Sequence, residues 1–91
     1  MNAVEIKINQ MADYFDNSVA YLSDDELFAS GYLRGHVDLA VGQLQLTEQP
    51  FSTEEIVTAV DTSLALAIAK GELDNSDELL VRSIWQRLQT L

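Results

Sequence analysis

SDDELFASGYLRGHVDLAVGQLQL, from Ser23 to Leu46, is the stretch whose reading decides the fold. Ser23 followed three residues later by Glu26 has the form of a capping box, in which hydroxyl and carboxylate each satisfy a backbone N–H at a helix start. Leu22 and Leu27 stand at the positions of a hydrophobic staple. Asp24, Asp25 and Glu26 fill the first turn, where the helix dipole favours negative charge. At about 100° per residue, Ala29, Leu33, Val37, Ala40, Val41 and Leu44 gather on one broad face. Phe28, Tyr32, Leu39 and Leu46 make a second apolar stripe, rotated from the first. A helix apolar on two sides is one that several neighbours cover, so this segment is expected to be the most buried element.

Gly31, Gly35 and Gly42 fall with Asp38 within about 60° of one another on the same wheel. Each interior glycine costs about 0.5–1 kcal/mol relative to alanine, so three on one stripe need a physical reason. Close approach by a neighbouring helix is the expected one. A partner backbone from outside the chain, a local bend and plain tolerance are the alternatives.

Working outward, Val4, Ile8, Met11, Phe15, Val19 and Leu22 recur at spacings of three and four, the seam of an amphipathic helix over about residues 3–20. The short link to Ser23 makes this helix the antiparallel neighbour of the next. Downstream, Pro50 ends the helical run, and Ser52 with Glu55 opens a second capping box. Ile56, Val60, Ser63, Leu64, Ala67 and Ile68 then carry a third helix over 52–70, with Gly71 as its C′ residue. After a turn at Leu73, with Asp74 or Asn75 as N-cap, Leu80, Val81, Ile84, Trp85, Leu88 and Leu91 point a fourth helix, 75–90, inward. No strand pattern or repeat interrupts the series. The sequence predicts an all-α protein, a small antiparallel up-and-down four-helix bundle with helices at about 3–20, 23–46, 52–70 and 75–90.

A chain of 91 residues makes one domain, residues 1–91, with a modest single core. It has no cysteine, so disulfides and thiolate metal sites are excluded. The N-terminus lacks the apolar core of a secretion signal, and the tract from Ser63 to Ala69 is too short to span a bilayer; a cytoplasmic protein is expected. Fifteen acidic against five basic residues give a formal net charge of −10, which repels phosphate backbones and anionic membranes. Neither nucleic acid nor membrane is therefore an expected partner. The same charge suits a partner with a basic surface, and also plain solubility.

No arrangement of residues rises to a catalytic motif. His36, the single histidine, lies between the two apolar stripes near Tyr32; a general base there needs a nucleophile or acid that the sequence does not point to. Tyr32 and His36 nevertheless mark the alternative site, a pocket between helices for a small molecule. Arg34 and Asp38, spaced i,i+4, form an ordinary surface pair, or Arg34, beside the glycines, receives a carboxylate or phosphate from a partner. The Glu-x-x-His pairs of helical carboxylate metal sites are absent, since Leu33 precedes His36 by three, and no glycine-bearing calcium loop or phosphate-cradling loop occurs. No cofactor and no metal is expected.

The run SDDELFASGYLRGH, followed by VDLAVGQL, resembles the signature stretch of the small bacterial YfcL-like family. The similarity continues through the Gly71-Glu72-Leu73 turn into LVRSIW and covers roughly the last three quarters of the chain. It implies a short cytoplasmic protein of gammaproteobacterial type built as a single helical domain, and it carries over no catalytic residue, cofactor or partner. The expectation for function is a non-catalytic interaction module using its acidic surface and the face of Gly31, Arg34, Gly35 and Asp38. A homodimer through an apolar stripe left uncovered on the fourth helix is a further expectation.

Overall fold

The computed structural model describes residues 2–91 and contains four helices: α1 (Ala3–Ser18), α2 (Asp24–Leu46), α3 (Thr53–Ala69) and α4 (Asn75–Gln89). A turn of 3₁₀ helix, Val19–Tyr21, follows α1, and the described residues contain no strand. Both capping boxes form as their spacing requires, Ser23 with Glu26 and Ser52 with Glu55. Asp74, rather than Asn75, caps α4 by accepting from the Asp77 backbone N–H at 2.7 Å. At the end of α3, Gly71 takes φ 77°, and the bonds Gly71 N–H to Ile68 O and Glu72 N–H to Ala67 O close a Schellman motif. The corresponding position after α2 is Glu48, which enters the left-handed region at φ 56° without the freedom of a glycine.

Contacts across the bundle fix the helix directions. Lys7 Nζ, near the start of α1, donates to the backbone oxygen of Leu91 at 2.6 Å, beyond the end of α4. Asp16 on α1 pairs with Arg34 on α2 while Val4 and Ile8 lie beside Gln45, and Tyr32 and His36 on α2 meet Glu72 and Ser63 in reverse order, so α1 and α3 both run opposite to α2. α2 and α4 therefore run parallel, and they form the most extensive contact in the fold, followed by α2 with α3. Burial follows from this central place: six residues of α2 are buried, against four in α3, three in α4 and two in α1. Leu33, Ile56, Val60, Val81 and Leu88 are fully enclosed, with Phe15, Met11 and Trp85 closing the sides. The Trp85 indole N–H donates to Asp61 at 2.7 Å, so the largest core residue keeps its polar edge satisfied.

Four expectations are overturned. The second apolar stripe of α2 is not covered by neighbours: Phe28 is 51%, Leu39 56% and Leu46 82% exposed. The molecule measures 36 × 30 × 19 Å, and 19 Å is about two helix diameters, so a two-layer bundle leaves one side of its central helix bare. Nor do the glycines admit a close helix. A Cβ built at Gly31, Gly35 or Gly42 meets nothing within 4 Å. Finally, the α1 seam ends early, because the 3₁₀ turn rotates the chain and leaves Val19 exposed. At the far end Leu91, expected inside, is also exposed.

Candidate functional site

Everything the sequence singles out lies on the outward side of α2, on two flanks of one bare ridge. The ridge is Phe28, Gly31, Gly35, Leu39, Gly42 and Leu46, six positions within about 80° on the helical wheel. None carries charge. The capping box holds the start of this helix; its backbone bond from Ser23 keeps the Glu26 carboxyl below the usual carboxylate range.

On one flank, Arg34 Nη1 donates to Asp16 at 2.7 Å, and its Nε stands 3.9 Å from Asp38. The guanidinium also lies over the Phe15 ring, 5.5 Å from its centre. Arg34 is thus a tie between α1 and α2, with its charge reinforced by the Asp16 bond. Asp38, the i+4 residue visible in the sequence, is the secondary partner. Asp16 stands eighteen residues away and gave no local signal.

On the other flank, Phe28, Tyr32 and His36 make an aromatic row, with ring centres 6.1 and 4.9 Å apart. Tyr32 donates to Glu72 at 2.7 Å, and burial followed by this carboxylate pushes its pKa up to about 12. His36 Nδ1 and Ser63 Oγ share a hydrogen bond of 2.5 Å. Gly31, Tyr32, Gly35, His36 and Leu39 line an open depression of about 330 Å³. The depression joins the residues of both candidate sites except Arg34 and Asp38, which lie across the ridge. A hydroxyl beside an imidazole is the start of a nucleophile–base pair. Here Ser63 sits inside α3, where the surrounding backbone N–H groups serve the helix, so none is aimed at a developing oxyanion.

Elsewhere the parallel arrangement brings the N-termini of α2 and α4 together. Asp77 is raised by burial and then by the charges of Asp74 and Asp25. Among the described residues no group of three His, Asp or Glu side chains could hold a metal ion. No described helix is long and apolar enough to cross a membrane.

The model of the YfcL protein family matches residues 7–90, so the match reaches back into α1. The chain is 47% identical over 73 residues to "Uncharacterized protein YfcL" of Escherichia coli (strain K12), covering 80% of this chain and 78% of that one. No solved structure matches it. With nearly the whole chain matched, and with the bare α2 ridge falling inside the most recognisable stretch, this four-helix protein belongs to the YfcL family.

Proposed function

We propose that the protein is a non-catalytic interaction module of the cytoplasm that docks another protein surface on the outward ridge of α2. One observation carries this reading. On a chain of net charge −10, the outward side of the central helix presents Phe28, Leu39 and Leu46 to solvent, with Asp38 the one carboxylate beside them. Monomeric proteins rarely leave contiguous apolar faces bare, and helix faces read at i, i+3, i+4 and i+7 are a recurrent mode of recognition. Gly31 and Gly35 let a partner approach the backbone, while Arg34 and Asp38 supply a charged rim. Acidic residues beyond the rim favour partners of basic surface.

The test is a photo-cross-linking amino acid placed at Phe28 or Leu39 in the living cell, with Thr58 on α3 as the control position. A discrete adduct from the ridge and none from Thr58 is the expected result. Absence of adducts from both ridge positions would refute the reading. A second reading, small-molecule binding or catalysis at Tyr32 and His36, has the His36–Ser63 pair in its favour. A thermal-shift screen discriminates, since a ligand there raises the midpoint of wild type and not of His36→Ala.

A further inference from the structure

We propose that the occupant of the α2 ridge is a second copy of this chain, with the two α2 helices packed antiparallel about a two-fold axis at Gly35. This rests on the ridge being an interaction surface, and it adds the partner and the register. Phe28 lies seven residues before Gly35 and Gly42 seven after it; Gly31 lies four before and Leu39 four after. Reversing the helix about Gly35 therefore sets each Phe28 over the partner's Gly42 and each Leu39 over the partner's Gly31. At the axis, glycine meets glycine. Every large side chain of the central ridge faces a position with no side chain and, in the single chain, open space within 4 Å. From Phe28 to Gly42 the ridge is its own complement, as an interface between identical copies requires, while Leu46 lies beyond this span opposite the partner's Asp24.

Two further features agree. Phe28 and Leu39, Gly31 and Gly42, and Gly35 and Leu46 are each eleven residues apart. An eleven-residue repeat is about 3.67 residues per turn, close to the helix's own period, so the ridge runs nearly straight and two copies lie alongside without strong supercoiling. Charge fits locally, against the overall repulsion of two chains of net charge −10. Arg34 and Asp38 occupy one flank, one residue before and three after the axis. The reversed helix places each Asp38 about 3 Å along the axis from the partner's Arg34, giving two opposite-charge pairs across the dimer.

A single helix face is smaller than a standard interface, so the association belongs to the weak class and is best sought from ~10 µM to ~1 mM. Sedimentation equilibrium over that range should show the mass rising from 10.1 kDa toward twice that value. Gly35→Leu places a bulky side chain on the axis and should weaken association about tenfold or more, with the helical circular dichroism unchanged. Phe28→Ser, which removes a knob without adding bulk, should also weaken it. A mass that stays at 10.1 kDa throughout overturns the second copy, and leaves the interaction reading to the cross-link test, where a heterologous adduct can still appear. Dimerisation that survives both substitutions overturns the ridge as its site.

Discussion

Replacing Gly35 with alanine should make the isolated chain more stable. Gly35 sits mid-helix in α2 with ordinary helical backbone, and a Cβ there meets nothing within 4 Å, so no steric penalty offsets the gain. The propensity difference alone then applies, about 0.5–1 kcal/mol in favour of alanine. For a domain of this size that is a rise in midpoint of roughly 2–8 °C. Gly31 and Gly42 have the same open surroundings, so each alone should give a gain of about 0.5–1 kcal/mol on replacement by alanine. Urea unfolding followed by the fluorescence of Trp85, the one tryptophan, measures this directly. The titration belongs at low micromolar protein, with the midpoint checked for independence of concentration, so that any dimer does not contribute. An unchanged urea slope is expected, because the surface exposed on unfolding barely changes. If Gly35→Ala instead lowers stability by half a kcal/mol or more, the glycine serves the monomer's own packing, and the argument for a vacant ridge fails.

Four other outcomes follow from the same structure. Leu33→Ala empties a fully buried site on the central helix and should cost about 2–5 kcal/mol, read by chemical denaturation. Asp61→Ala strips the acceptor from the Trp85 indole and should cost about 1–2 kcal/mol with a shift in tryptophan emission. Tyr32 has its folded pKa raised from 10.0 to about 12, so its contribution is complete below pH 10 and is lost as pH rises toward 12. Tyr32→Phe should abolish that alkaline loss and remove the latest tyrosinate component from an ultraviolet titration. Glu48→Gly relieves the left-handed residue after α2 and should stabilise by about 0.5–1 kcal/mol, the relief exceeding the added chain entropy.

The parts of this fold that were legible in the sequence are those whose physics is local. Ser23 and Glu26, or Ser52 and Glu55, meet three residues apart on the same turn, so their pairing is implied by spacing alone. Gly71 announces a left-handed C′ residue because no other residue enters that conformation as cheaply. Glu48 adopts it without announcement. The candidate site depends on partners far along the chain: Asp16 for Arg34, Ser63 for His36 and Glu72 for Tyr32. Periodicity cannot show these, nor decide which of two apolar faces on α2 becomes core. That choice was settled by where α3 and α4 pack. They cover Ala29, Leu33, Val37 and Ala40, and Phe28 and Leu39 are left outside.

The bond from Lys7 to the backbone at Leu91 has a mechanical consequence. It places the beginning of α1 and the finish of α4 at the same pole of the molecule, on helices that run in opposite directions. Traction applied through these two ends puts its load on the few contacts between α1 and the finish of α4, with no long α1–α4 seam to share it. Lys7 is the first clasp to bear it, and Lys7→Met should lower the unfolding force measured by optical tweezers on a chain handled at its ends.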